Sequence, residues 1–159
     1  MISQTELKLL MNYDPLTGHL IWRINRGTRA RAGQIAGALD PQGYVVIGVN
    51  NRSYLAHRLV YLHQTGQWPP LEIDHINQNK SDNRWLNLRL ATPSQNKANR
   101  AKYKGKLPKG VARNGRGYNA YITAGKIRAH LGYFPTAEQA HAAYCEAAQQ
   151  AFGAYHRAG

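Results

Sequence analysis

The sequence predicts an α+β fold built from two small modules. Short apolar segments bounded by Gly and Asn turns indicate antiparallel strands, and a few segments with clear capping residues indicate helices. A basic interval containing Gly and Pro, at about residues 100–108 of the 159, favours a linker. We therefore expect one module at 1–99, the linker at 100–108 and a second module at 109–157.

The elements of the first module follow from turns and periodicity. Residues 18–22 predict a short strand after a turn at 14–18. Residues 43–49 and 52–56 flank two asparagines, which tolerate positive φ, so this stretch predicts a β-hairpin. A helix is expected at about 57–64, ended by Gly66.

Residues 72–99 are the most informative part of the chain. Ile73 and residues 88–90 predict the two strands of a hairpin around an Asn- and Asp-rich loop. Thr92 as N-cap, Pro93 in the first turn and Gln95 predict a capping box at the start of a helix. Asp74 and His75 then end the first strand, and Asn96 lies in the first turns of the helix, where it can face them.

The second module predicts three antiparallel strands packed on one helix. Strands are expected at 110–113, 118–123 and 127–133, and the helix begins after Thr136 and ends at Gly153. Its apolar face is predicted to be Ala140, Ala143, Tyr144, Ala147 and Ala151. We expect Tyr118 and Tyr121 on one face of the sheet, against either a partner or the helix.

Charge and cysteine content narrow the class of protein. The formal charge is +13 and the pI about 10.2, which favours a polyanionic partner, first nucleic acid and second an anionic membrane. No apolar run approaches the ~20 residues that span a bilayer. A single Cys excludes an internal disulfide and a Cys-rich zinc finger. The start of the sequence also lacks the pattern of a signal peptide, so we expect a cytoplasmic protein.

The positive charge is concentrated toward the end of the chain. Residues 97–159 hold eleven Lys and Arg against two acids, for a net charge of +9. The stretch from 97 to 113 contains no acid, so we expect it to follow a phosphate backbone, the alternative being a solvated tether. Its candidate DNA-binding residues are Lys97, Arg100, Lys102, Lys104, Lys109 and Arg113.

The residues of the 72–99 segment suit hydrolysis of a phosphodiester. His75 can remove a proton from water near neutral pH. Asp74 and Asn96 offer hard oxygen ligands of the kind that Mg²⁺ takes. Asn87, across the hairpin, can hold the His75 imidazole through its carbonyl oxygen.

These same residues resemble the HNH (ββα-metal, or His-Me finger) nuclease motif. Asp74–His75, Asn87 and Asn96 are similar to the variant of phage and homing endonucleases in which the last His is replaced by Asn. Residues 13–18, 43–44 and 56–60 resemble the segment that precedes the motif in phage proteins. The resemblance implies His75 as general base, Asn87 as its orienting residue, and Asp74 and Asn96 as ligands of one divalent metal. It also implies 5′-phosphate and 3′-hydroxyl DNA ends.

The second module resembles the AP2/ERF DNA-binding domain. The matching segments are 109–111, 118–122, 131–140 and 143–144. That family lays its sheet in the major groove of double-stranded DNA. Carried over by resemblance, the residues that would face DNA are Arg113, Arg116, Tyr118, Tyr121, Lys126 and Arg128.

Two other functions stay open at this point. One is a DNA-binding transcriptional regulator that does not cleave, and the other is an RNA-binding protein. For the nuclease we expect Mg²⁺ as the ion, with Mn²⁺ as the alternative. We also expect a monomer or weak dimer in a bacterial host or phage-infected cell.

Overall fold

The computed structural model describes residues 1–28, 30–100 and 107–156. It has small sheets and helices in an α+β arrangement, as predicted. The chain divides into two compact units, Met1–Leu90 and Ala91–Gly159. This division lies before the predicted linker 100–108, most of which (101–106) is outside the described residues.

The first unit consists of small antiparallel sheets and two helices. Strand pairs are β1–β2 and β6–β7, and a third sheet has the order β3–β4–β5. The elements are α1 (Gln4–Leu10), β1 (Met11–Tyr13), β2 (Leu20–Trp22), β3 (Ala38–Leu39), β4 (Val45–Val49), β5 (Arg52–Leu55), α2 (Ala56–Thr65), β6 (Glu72–His75) and β7 (Leu88–Ala91, ending at the unit boundary).

The predicted β4–β5 hairpin and the helix after it are confirmed. Asn50 and Asn51 have φ of 51° and 56° and form the turn. Gly66 ends α2 in the left-handed conformation, with φ of 79°. The helix buries Leu59, Val60 and Leu62 in the core of this unit, because these positions share one helical face.

The first helix, α1, and the strand after it, β1, were not predicted from the sequence. Ser3 caps α1 by accepting a hydrogen bond from the Glu6 backbone N–H at 3.2 Å. Leu7 and Met11 are fully buried against α2 and the sheets. The signal was a short Ser-x-x-Glu sequence before an apolar residue, which is a capping pattern.

The second unit has a three-stranded antiparallel sheet in the order β8–β9–β10 and a long helix packed on it. The capping box at Thr92 and Gln95 is present at the start of the first helix, as predicted. The elements are α3 (Pro93–Asn99), β8 (Val111–Asn114), β9 (Gly117–Ala124), β10 (Ile127–Phe134) and α4 (Ala137–Phe152).

Helix α3 belongs to this second unit through specific contacts. The Lys109 ammonium donates to the carbonyls of Ala98 and Arg100, at 2.5 and 3.1 Å, and so caps the end of α3. Ser94 Oγ accepts a hydrogen bond from the Gly125 backbone at 3.0 Å. These contacts explain why the unit boundary precedes α3.

The predicted apolar face of α4 is only partly right. Ala140 and Tyr144 are buried, whereas Ala151 is exposed. Ala148 and Phe152 complete the buried stripe instead, because it advances by four residues at each turn. That spacing brings Phe152 onto Ile122 of β9 and Ala98 of α3.

Candidate functional site

The β6–β7 hairpin presents an adjacent acid and histidine that are almost fully buried. Asp74 is 5% exposed and His75 is 4% exposed, both at the end of β6. The Ile76 backbone N–H donates to the Asn87 carbonyl at 2.9 Å and closes the hairpin directly after them. Buried polar side chains need fixed partners, so the contacts around this pair define the site.

Asn83 holds the imidazole of His75. His75 Nε2 lies 3.2 Å from Asn83 Oδ1, and Asn83 Nδ2 donates to the Ser81 carbonyl at 3.3 Å. Since a carbonyl only accepts, the second bond fixes which end of the Asn83 amide faces the ring. His75 then carries its proton on Nε2, and Nδ1 is the basic nitrogen.

Asn87 contacts the loop between the strands. Its Oδ1 accepts from the Asn77 backbone at 3.0 Å, and its Nδ2 donates to the Asp82 carbonyl at 2.8 Å. The His75 imidazole contacts Asn83, a residue of the Asn- and Asp-rich loop. A direct role of Asn87 at His75 stays a prediction.

The loop that carries Asn83 is braced from the N-terminal segment. The Tyr13 hydroxyl donates to the Asn83 carbonyl at 3.0 Å and accepts from the Trp85 N–H at 2.8 Å. Gly18, with φ of 78°, lies so close to the Asn83 and Arg84 backbone that a Cβ would collide with it. The turn at 14–18 therefore supports the position of His75 through Asn83.

His57 and Tyr44 complete the surroundings of His75. The His57 ring packs edge-on against His75, with centroids 5.1 Å apart, and the Tyr44 ring lies 5.5 and 6.1 Å from these two rings. Burial, then the neighbouring His75 and Arg58, lower the pKa of His57 to about 3. Among the described residues its Nδ1 has no hydrogen-bond partner, so His57 is held neutral.

The same burial acts on the pKa of His75, which lies below its ordinary value. The Asn83 hydrogen bond and the charge of Asp74 oppose this shift. His75 is therefore unprotonated at neutral pH, as a general base must be. Asp74 Oδ2 accepts from both Nε and Nη2 of Arg89 at 2.8 Å, which compensates its buried charge.

Lys80 is a cation beside this site that sequence reasoning missed. Its ammonium donates to the Gln42 carbonyl at 3.0 Å and lies 4.6 Å from the Tyr44 ring centre. Within the described chain it forms no ion pair, whereas Arg84 is paired with Asp82 and Arg89 with Asp74. A lone Lys in a loop of Asn and Asp was the available signal.

The predicted metal ligands lie in different units. Asp74 is in β6, whereas Asn96 is in α3 of the second unit, so their use as a pair stays a prediction. Across the described residues, no three His, Cys, Asp or Glu side chains form a group that could hold a metal. The donor types of Asp74 and Asn96 suit a hard ion that keeps several waters.

The second unit presents a polar, aromatic sheet face opposite its apolar contacts. We call Asn119, Tyr121, Arg128, His130 and Tyr133 the open face. The Arg128 guanidinium lies 4.1 Å from the Tyr121 ring centre, and Tyr121 and His130 are cross-strand partners with centroids 5.1 Å apart. Asn119 hydrogen-bonds both Tyr121 Oη and His130 Nε2 at 3.2 Å.

The expectation that Tyr118 and Tyr121 share a face is wrong. Side chains alternate along a strand, so residues three apart lie on opposite faces. Tyr121 lies on the open face, whereas Tyr118 is on the face of buried Ala120 and Ile122. Arg113, the cross-strand partner of Tyr118, is on that side too.

The other predicted DNA-binding residues differ in their surroundings. Lys97 and Arg100 are exposed on α3 and at its end, whereas half-buried Lys109 caps that helix. Arg116 and Lys126 are exposed in the two turns of the sheet. Lys102 and Lys104 lie outside the described residues. None of the helices described is long and apolar enough to cross a membrane.

Comparison with known proteins shows which family the segment containing this site is similar to. Residues 54–98, from the end of β5 into α3, match the HNH endonuclease family. The chain is 39% identical over 87 residues to a protein of Acanthamoeba polyphaga mimivirus named as an uncharacterized HNH endonuclease. That alignment covers 53% of this chain and 46% of the relative, about half of each. No solved structure matches the chain.

These two matches support a nuclease at the family level. The matched segment contains His57, Asp74, His75, Asn83 and Asn87, all of which are buried. HNH endonucleases generally use a divalent metal, and a nuclease of this kind would act on DNA.

Proposed function

We propose that this protein is a metal-dependent DNA endonuclease in which His75 activates the attacking water. The observation that carries the proposal is the buried imidazole whose Nε2 is held by Asn83 Oδ1, next to the carboxylate of Asp74. A neutral histidine with one fixed N–H presents its other nitrogen to a water molecule. The family match over residues 54–98 supports this assignment.

The chemistry assigned to the chain is in-line hydrolysis of a phosphodiester. His75 Nδ1 takes a proton from a water whose oxygen bonds to phosphorus, and the bond between phosphorus and the 3′ oxygen breaks. The 3′ oxygen takes a proton from solvent, so the products carry 5′-phosphate and 3′-hydroxyl ends. Lys80, held by Tyr44 and the Gln42 carbonyl, is a nearby cation that forms no ion pair within the described residues and can contact a non-bridging oxygen. In this proposal Asn87 acts indirectly on His75, by bonding to the loop that positions Asn83.

Asp74 and Asn96 are the residues that we assign to a divalent metal, with Mg²⁺ as the first candidate and Mn²⁺ as the second. Asp74 and Asn96 fit such an ion by the chemistry of their donors, because carboxylate and amide oxygens are the hard ligands that it takes. When bound, such an ion supplies positive charge to the phosphate and to the leaving oxygen.

The second unit is assigned to binding double-stranded DNA, in the manner of an AP2-like module. The open face supports this, because Arg128 and His130, both on β10, contact the Tyr121 ring on an exposed sheet surface. The exposed cations Lys97, Arg100, Arg116 and Lys126 add contacts to phosphates. Arg113 and Tyr118 are weaker candidates, because they lie on the other side of the sheet.

The test is cleavage of plasmid DNA by the purified full-length protein with Mg²⁺ or Mn²⁺. We expect nicking by the wild type and a loss of about 10²–10⁴-fold in rate for His75→Ala. Sequencing of the cut ends should give 5′-phosphates. Equal cutting by His75→Ala would overturn the mechanism, and metal-independent binding without nicking would instead establish a non-cleaving DNA-binding regulator.

A competition assay between duplex DNA and structured RNA checks the choice of nucleic acid. We expect duplex DNA to displace RNA from the protein, since the open face offers a broad sheet surface rather than isolated pockets for single bases. Preferential retention of RNA would overturn the assignment of DNA as partner.

A further inference from the structure

We propose that the first unit carries a second anion site, which binds a phosphate of the DNA backbone apart from the site at His75. It is a notch beside the β4–β5 turn, with a volume of about 370 Å³. Its lining includes Trp22, Arg26, Gly48, Asn50, Arg52 and Ser53. The choice of DNA as the ligand rests on the proposed function, and the notch precedes the matched segment, which begins at residue 54.

The charge of the notch comes from two arginines. Arg26 and Arg52 are its charged lining residues, and no acidic side chain among the described residues lines it. Neither guanidinium forms an ion pair within the described chain. Unpaired arginines in a concave polar site are suited to phosphate oxygens, which accept several N–H bonds.

Arg26 is held in place before any ligand binds. Its Nη2 donates to Asn50 Oδ1 at 2.8 Å, and its guanidinium lies 5.7 Å from the ring centre of buried Trp22. These two contacts restrict a long side chain that would otherwise lose rotamer entropy on binding. The cation is therefore preorganised on the wall of the notch.

The Glu6 carboxylate fixes Asn50, and no ion pair of the described residues joins it to Arg26. Asn50 Nδ2 donates to the Glu6 carboxylate at 2.6 Å. Because a carboxylate only accepts, this bond sets the amide so that Oδ1 faces Arg26. Glu6 thus stays one side chain away, and the Arg26 guanidinium contacts a neutral carbonyl.

The backbone of the hairpin leaves room for a ligand. Asn50 and Asn51 both have positive φ in the turn, and no atom of the described chain lies within 4 Å of where a Cβ of Gly48 would be. The volume suits a phosphate with its sugar. Phosphate contacts of this kind position a protein on a duplex without reading its sequence.

The experiment measures binding of a labelled DNA duplex by fluorescence anisotropy, without metal, in the full-length His75→Ala protein. The test variant adds Arg26→Ala and Arg52→Ala, and the control adds Lys8→Ala and Arg31→Ala. Both remove two charges from exposed positions of the same unit, but only the first pair lines the notch. Tryptophan fluorescence checks folding, because all three Trp lie in the first unit.

We expect the test variant to raise Kd about tenfold more than the control. Its log–log salt slope should fall by about 0.9 more than that of the control, as for one lost phosphate contact. Equal losses of affinity and equal slopes in the two variants would overturn the proposal that the notch binds a DNA phosphate. Asn50→Ala, which releases Arg26 without removing charge, should give a smaller loss than the double variant.

Two further arms separate the alternatives. Free dAMP should displace the duplex only at high concentration, and displacement at low concentration would overturn a DNA-backbone site in favour of a nucleotide site. Cleavage by the wild type is measured separately with Mg²⁺. If the plasmid stays intact but the Arg26/Arg52 variant binds DNA more weakly, the nuclease proposal fails and the phosphate site in the notch is supported. If cleavage is normal and the variant has no such binding defect, only the proposal of a phosphate site in the notch fails.

Discussion

The two units differ in whether their polar side chains are buried or exposed. The first unit buries His57, Asp74, His75, Asn83 and Asn87, whereas Asn99 is the buried polar residue of the described part of the second unit. The second unit leaves Arg128, His130 and Tyr133 exposed on a sheet. Buried polar groups must be held by specific partners, whereas exposed cations are solvated and available to a ligand.

The difference suggests a division between chemistry and binding. A desolvated histidine with a fixed N–H is suited to proton transfer, and its geometry depends on every bond that supports it. An exposed face of Arg, His and Tyr is suited to contact with a polyanion, and each residue contributes in small amounts. Changes in the first unit should therefore cause larger and less additive losses than changes in the second.

The largest effect is expected for Gly18→Ala. Its φ of 78° and its contact with the Asn83 and Arg84 backbone combine strain with a collision, so we expect a loss of about 3 kcal/mol or more in unfolding free energy. The measurement is urea unfolding followed by tryptophan fluorescence. Gly33→Ala is the matched control, because its φ is 82° but no atom of the described residues lies within 4 Å of the Cβ position.

Gly33→Ala should cost only about 1–2 kcal/mol for the left-handed backbone. Equal losses for the two variants would show that Gly18 is needed for its φ alone. In that case the brace from the turn to the Asn83 loop would contribute nothing measurable.

The next largest effect is the contribution of His57 to the pH dependence of stability. Its pKa is about 3 in the folded state and about 6.5 when unfolded, so between these values the unfolded chain binds the extra proton. Stability therefore falls as pH drops through this window, by at most about 1.4 kcal/mol per pH unit from this group. His57→Phe should flatten the fall between pH 7 and pH 5, measured by urea unfolding at each pH.

A slope in His57→Phe as steep as in the wild type would contradict this prediction. His75 and His63 also have pKa values lowered mainly by burial, so part of the acid sensitivity should remain in the variant. The informative quantity is the difference between the two slopes.

A smaller effect is expected for Asn83→Ala. Loss of the Oδ1 contact allows the His75 ring to rotate and exchange its proton between nitrogens, so the single-turnover cleavage rate should fall about tenfold. Asn79→Ala, which removes a hydrogen bond to Ser81 within the same loop, is the control and should leave the rate close to wild type.

Comparison with Asn87→Ala sharpens the assignment of the orienting residue. If Asn87→Ala slows cleavage more than Asn83→Ala at equal stability, the orienting role belongs to Asn87, as the sequence resemblance implies. The rates should be compared after unfolding curves establish that both variants are folded.

The smallest effect is expected on the open face. Arg128→Ala should weaken DNA binding about fivefold, because one phosphate or base contact of an exposed Arg is lost. Arg113→Ala removes the same charge from the opposite side of the sheet and should have less effect. Anisotropy titrations in the His75→Ala background compare them, and equal losses would indicate that charge matters rather than the face.

Much of the local structure was predictable from sequence. The β4–β5 turn, the Gly66 stop of α2 and the Thr92 capping box depend on residues within a few positions of one another. The buried stripe of α4 was predictable only in part, because Phe152 is buried by contact with Ile122 and Ala98 rather than by a local rule. The expectation that Tyr118 and Tyr121 share a face was wrong, because alternation along a strand places residues three apart on opposite faces.

The candidate site divides in the same way. Asp74 and His75 were identifiable as an acid–histidine pair at the end of a strand, and the structure buries both. The contacts of Asn83, Tyr13 and Gly18 were not identifiable, since they join residues about 70 positions apart or lie in a loop whose path is irregular. Lys80 likewise becomes notable only when Tyr44 is found beneath it.

The sequence by itself determined the net charge of +13, the turns and helix caps, and the position of the adjacent residues Asp74 and His75 at the end of a strand. Only the tertiary structure decided which asparagine holds the imidazole, which aromatic residues surround it and which arginines line the β4–β5 notch without an ion pair in the described part of the chain. The physical reason is the distance along the chain over which each kind of interaction acts. Capping and turn preferences act between neighbours along the chain, whereas desolvation and side-chain hydrogen bonds depend on segments that meet only after folding.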